Sequence, residues 1–110
     1  MSFEMPYETW SKGEKAIARR AFEQAYAREC LALAGEVRRR AISIAEPSDM
    51  WALHDLLTRE RKATDEKYDY RYSVLIFVFA RLIREGWLSE AELAGLAEEK
   101  LAKIKLILEM

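Results

Sequence analysis

EPSDMWALHDLLTRERKATDEKYDYRYSVLIFVFARLIREGW, residues Glu46 to Trp87, decides the fold, because it holds the densest apolar run of the chain and its only histidine. With Pro47 or Ser48 opening a helix, 100° per residue places Trp51, His54, Asp55 and Thr58 in one sector. Met50, Leu53 and Leu57 fall in the adjoining one, so an apolar seam runs beside an indole, an imidazole and a carboxylate. Arg61 borders that patch six residues after Asp55. That is too far along and around one helix for an i,i+3 or i,i+4 contact, so a meeting of these two charges requires two chains.

This helix is expected from about Ser48 to Lys62, with a break near Ala63–Thr64–Asp65 where Thr64 or Asp65 caps the next one. Within Glu66 to Glu85, Val74, Ile76 and Val78 alternate as a strand would. The rest of the chain is helical and offers no strand partner, and no turn residue interrupts the run. The segment therefore reads as a buried helix, apolar nearly all round. Tyr68, Tyr70 and Tyr72 at i,i+2 cannot share one face of a helix, so at least one belongs to the core. Gly86 is placed as the residue after the helix end, where a left-handed conformation closes the last turn.

Toward the N-terminus, Ser11 and Glu14 form a capping box. After it Phe22, Tyr26, Cys30, Leu33, Val37, Ala41 and Ile44 recur at steps of four, four, three, four, four and three, one apolar stripe along a single long helix that Pro47 ends. Some 30 residues of helix span about 45 Å, whereas a compact domain of this size has a radius of gyration of about 13 Å. One end overhangs, and an overhanging apolar stripe calls for a second copy to cover it. Toward the C-terminus, Ser89 and Glu92 form a second capping box, with Leu88 and Leu93 placed as a hydrophobic staple. The last helix carries Leu93, Ala97, Leu101, Ile104 and Leu108 inward, and Lys100, Lys103 and Lys105 suit its C-terminal dipole. The expectation is an all-α, elongated four-helix protomer with a long first helix and a small helical head, forming a homodimer. Residues 1–10 read as a flexible arm and 11–110 as one helical domain.

The 110 residues carry a net charge of −1, which offers no general attraction to nucleic acid or acidic lipid. One cysteine, Cys30, excludes an internal disulfide and fits a reducing compartment. The N-terminus lacks a basic and apolar signal pattern, and the apolar run Val74 to Ala80 is too short to span a bilayer, so a cytoplasmic protein without a membrane is expected. His54 and Asp55 project 100° apart and are not an aligned base and orienter. There is no metal-ligand spacing. No enzymatic activity, metal or cofactor is expected. Arg38-Arg39-Arg40 with Arg59, Arg61 and Lys62 reads as a solvated face among Glu36, Glu46, Glu60 and Asp65 rather than a nucleic-acid footprint. Trp and Arg beside apolar anchors have the composition of an interface hot spot, which leaves dimer contact and a site for another protein both open.

The run Trp51 to Leu57, then Arg61, Asp65-Glu-Lys-Tyr-Asp, Arg71, Ser73 to Ala80 and Glu85-Gly86, resembles the fluorescence recovery protein family. The likeness extends to Trp10-Ser11, Phe22, Ala25-Tyr26, Arg28-Glu29, Lys100 and Lys103-Ile104-Lys105. Tyr70 and Tyr72 depart from it, standing where an acidic and a polar residue are expected, and the first helix has Ala and Arg where more Gln and Ser are expected; these changes are expected at exposed positions, with the dimer block kept. The resemblance implies an all-helical dimer that binds the C-terminal domain of photoactivated orange carotenoid protein. It accelerates that protein's return to the resting form and its release from the phycobilisome, a role in photoprotection and in ending non-photochemical quenching. By motif, Trp51, His54, Asp55 and Arg61 correspond to the dimer-interface and activity cluster, with Met50, Leu53 and Leu57 as its apolar seam. Phe77 and Lys103 correspond to partner-binding positions on the head. A dimeric adaptor of the same fold, serving a related or different protein in a non-photosynthetic bacterium, is the alternative.

Overall fold

The Ser11 hydroxyl accepts the Glu14 N–H at 3.1 Å while the Glu14 carboxylate accepts the Ser11 N–H at 3.0 Å, so the first helix starts where the capping box requires. From this cap α1 runs over Lys12–Ile42, 31 residues in the computed structural model, which describes residues 9–110. The chain reverses through 43–46, and Asp49 accepts the N–H groups of Ala45 and Glu46 at 3.0 and 3.1 Å. Pro47 then stands at the first position of α2, Pro47–Lys67, where its missing N–H is harmless.

The break expected near Ala63–Thr64–Asp65 does not occur. No Gly or Pro lies between Ser48 and Lys67, and the propensity penalties of Thr and Asp, a few tenths of a kcal/mol each, are too small to stop a helix already running. Thr64 is interior, and its carbonyl accepts the Tyr68 N–H at 2.9 Å. Helix ends instead at Lys67, and Tyr68, Asp69 and Tyr70 are not helical, so the continuous helix expected over Glu66 to Glu85 is shortened to α3, Leu75–Arg84. Outside a helix the segment is released from the 3.6-residue period that would have spread alternate side chains around an axis. Tyr68, Tyr70 and Tyr72 therefore share one side and pack on α1 and Trp10: Phe22 meets Tyr68 and Tyr70 edge-on at 5.4 and 4.8 Å, and Tyr72 meets Trp10 at 5.6 Å. Asp69 and Arg71 alternate with them and pair with each other.

Gly86 has φ +87°, and the Trp87 and Gly86 N–H groups bond to the Leu82 and Ile83 carbonyls, the paired closure of a Schellman end for α3. The second capping box is also present, but it opens a short 3-10 turn, Glu90–Leu93, not the last helix. Gly95, at φ +105°, turns the chain before α4, Glu98–Leu108, begins. Leu93 is thus buried from the 3-10 turn, and Ala97 is the exposed residue ahead of α4. Lys100 also departs from expectation. It lies near the start of α4, buried, with its ammonium 3.1 Å from Glu14 and 2.7 Å from the Thr9 carbonyl. Of the arm expected over residues 1–10, residues 1–8 lie outside the described part, and Trp10 is docked in the core.

The core sits at one end. α3 and α4 pack on each other and the 3-10 turn Glu90–Leu93 lies close against the first half of α1, where Ala18, Ala21 and Ala25 are buried, in one core with Leu75, Phe79, Leu82, Leu93 and Ile104. Between Tyr26 and Glu66, by contrast, not one residue is buried. The radius of gyration is 17.6 Å and the extents are 61 × 29 × 27 Å, against a compact expectation of about 13 Å. The protomer is an all-α head with a two-helix stem. No helix among the described residues is long and apolar enough to cross a membrane.

Candidate functional site

Because α2 is continuous, its face is set by helical geometry alone. Trp51 is 58% exposed and lies edge-on to His54 with ring centroids 6.1 Å apart. The His54 and Asp55 side chains approach to 3.5 Å, both about two-thirds exposed, with Thr58 returning its hydroxyl to the His54 carbonyl. Met50 and Leu57 are exposed beside them, and Leu53 is half-buried. The surface is open, and although His54 and Asp55 are expected to project apart, the His54 Nδ1 comes to 3.5 Å from the Asp55 carboxylate, a long contact at the limit of a hydrogen bond. Among the described residues no group of His, Cys, Asp or Glu is arranged to hold a metal.

Arg61 does not join the patch within its own chain. It lies 3.8 Å from Asp65, an i,i+4 pair in solvent. A break near Ala63–Thr64–Asp65 would have kept Arg61 and Asp65 on separate helices; the continuous α2 puts them one turn apart. Phe77 and Lys103 stand apart from α2, on α3 and α4; Phe77 is 62% exposed among buried neighbours, and Lys103 is half-buried. The apolar stripe of α1 beyond Tyr26 is also open: Cys30, Leu33 and Val37 are half-buried, Ala41 and Ile44 exposed.

Two ionic clusters, each centred on a buried lysine and invisible in local sequence, join the elements that carry these surfaces. At the base of the head, Glu14 accepts the Ala97 N–H at 2.8 Å and the Lys100 ammonium, tying the start of α1 to the start of α4. Burial opposes its charge, but the Ser11 and Ala97 N–H groups and Lys100 outweigh it and hold Glu14 down at about 2. At the neck, Lys67 lies 2.6 Å from both Glu29 of α1 and Glu85 after α3. The Tyr68 hydroxyl donates to Glu29 at 2.7 Å, and Arg81 donates to Glu85 at 3.0 Å. Arg28 adds a bidentate contact to Glu92 and a bond to the Trp87 carbonyl. The partners of Lys67 are 38 and 18 residues away, so no i,i+4 rule points to them.

With this architecture in view, residues 10–108 match the family model described as photoprotection regulator fluorescence recovery protein. The chain belongs to the fluorescence recovery protein family. It is 45% identical over 96 residues to the fluorescence recovery protein of Synechocystis sp., covering 87% of this chain and 88% of that protein. The solved fluorescence recovery protein of Fremyella diplosiphon superposes with a TM-score of 0.86 at 49% identity, and that of Synechocystis sp. PCC 6803 with 0.86 at 42%. Each comparison covers 93% of this chain and 100% of the other. In this family member the α2 patch is open, and two of the departures, Tyr70 and Tyr72, are not at the exposed positions expected of them but half-buried against α1 and Trp10.

Proposed function

We propose that two protomers clasp through α2 and the distal half of α1, and that the dimer, without any reaction of its own, acts in the cytoplasm on orange carotenoid protein or a related protein. It binds the C-terminal domain of the photoactivated form, speeds its return to the resting form and so releases it from the phycobilisome. The observation that carries this reading is the unburied stretch from Tyr26 to Glu66 in a chain that belongs to a family of photoprotection regulators. A seam of Met50, Trp51, Leu53 and Leu57 that meets no other part of its own core is matched most simply by its own copy, face to face about a two-fold axis. In that arrangement Arg61 is free to exchange its loose contact with Asp65 for Asp55 of the second copy. Phe77 and Lys103, on the head, face the carotenoid protein.

Acceleration needs more than tight binding. The dimer must hold the closing transition state more tightly than the open form, and each tenfold gain in rate requires about 1.4 kcal/mol of that preference. The test is decay of the red form in the dark with the dimer at substoichiometric amounts. The expected result is a rate that rises with dimer concentration; no change at excess dimer excludes that partner. Sedimentation equilibrium tests the clasp separately: a mass of two 12.8 kDa protomers is expected, and a folded monomer at micromolar concentration overturns it.

A further inference from the structure

α2 has a single buried residue, Lys67, at its last position, and that residue is a charge. Leu53, Leu56, Glu60 and Thr64 are half-buried along the helix, but its one fully buried anchor is at this foot, where one ammonium bridges carboxylates from two different elements at 2.6 Å each. Glu85 is itself held rigidly: it directly precedes the Gly86 closure of α3 and accepts Arg81. Glu29 is held by Tyr68, whose ring packs edge-on to Phe22 and Tyr26. Lys67, Arg81, Glu29 and Glu85 make a neutral four-member set, with the Lys67 side chain only 7% exposed. A bridge from one buried ammonium to two partly exposed carboxylates is satisfied over a narrow range of placements of the three elements, so it selects an angle more than it adds stability.

The geometry points to Lys67 as a positioning residue: a buried cation that sets the angle of the α2 stem against the α3–α4 head and couples the two surfaces. This rests on the functional reading above, in which α2 clasps the second copy and the head grips the carotenoid protein. In this reading a displacement at either surface reaches the other by breaking this contact, which the structure holds made.

The test uses the full-length dimer with Cys30→Ala, spin labels at Ser48→Cys and Lys105→Cys, and excess unlabelled chain so that each dimer carries one labelled protomer. The stem-to-head distance distribution is expected to be narrow in the parent and to broaden in Lys67→Met. Dimer mass and helical content should stay unchanged. Recovery acceleration should fall at least about fivefold, the lower end of typical site-to-site coupling. Lys67→Arg, which keeps the charge and can serve both carboxylates, should restore both. If Lys67→Met fails to fold, the triple variant Lys67→Met/Glu29→Gln/Glu85→Gln removes the stranded charges and gives the same readouts. A distribution as narrow as the parent's, or an unchanged rate, in the folded variant overturns the inference. Failure of the parent to accelerate recovery overturns the functional reading instead, while the distance measurement still decides the joint.

Discussion

Glu14→Ala strikes the point where the two ends of the domain are joined. The carboxylate accepts two backbone N–H groups, of Ser11 at 3.0 Å and Ala97 at 2.8 Å, and neutralises Lys100 at 3.1 Å, with side-chain exposures of 10% and 7% for the two partners. Its removal leaves Lys100 buried with only the Thr9 carbonyl and, 4.9 Å away, the face of the Trp10 ring. Breaking one side of a buried pair costs about 3–5 kcal/mol. Linkage gives a second route to the magnitude. A folded value of about 2 against an ordinary 4.5 corresponds to about 3 kcal/mol at neutral pH. Against a total stability of about 5–15 kcal/mol, that is a large fraction. Urea unfolding followed by far-UV circular dichroism, at one fixed protomer concentration because the unfolding of a dimer is concentration-dependent, should show the midpoint falling by about 1–3 M. Since the folded value lies below the unfolded one, the contribution is complete above pH 4.5 and disappears as pH falls toward 2. Glu14→Gln should lack that part of the acid transition, and adding Lys100→Met to it should recover stability by removing the stranded charge. A Glu14→Ala midpoint corresponding to less than about 0.5 kcal/mol, the range of ordinary surface changes, would refute the reasoning.

Gly95→Ala should destabilise by about 1–3 kcal/mol, because φ is +105° and the new methyl would lie 2.5 Å from Ile17 Cδ1. Gly86→Ala, at φ +87° with open space around it, should be milder, and Ile17→Val should partly rescue only the former; thermal melts of the four variants check the order. Arg28→Ala removes the bidentate hold on Glu92 and the bond to Trp87, so amide exchange in Glu90–Leu93 should quicken while that of Leu75–Arg84 is unchanged. Arg61→Glu should raise the monomer fraction by setting like charges against Asp55 of the second copy, and sedimentation velocity with an unchanged dimer would reject that pairing.

Local patterns were enough for the features whose interactions are local. Ser11 with Glu14, Ser89 with Glu92, and Gly86 after Glu85 could be read directly, since caps and helix ends are settled by groups three to five residues apart. The length of α1 and the open stripe beyond Tyr26 followed from periodicity, and with them the elongated outline. The family was legible too, because it resides in the order of side chains around Trp51 and Val74. Tertiary structure decided where α2 stopped: Lys67, its last residue, reaches Glu29 and Glu85, and the three tyrosines after it pack on α1 and Trp10, a gain no single-segment propensity registers. It also decided which stripe of α1 faces the head. The periodic large side chains run from Phe22 onward, yet Glu14, Ala18, Ala21 and Ala25 are the buried ones, because close approach of another element rewards small residues, and their neighbours come from the far end of the chain.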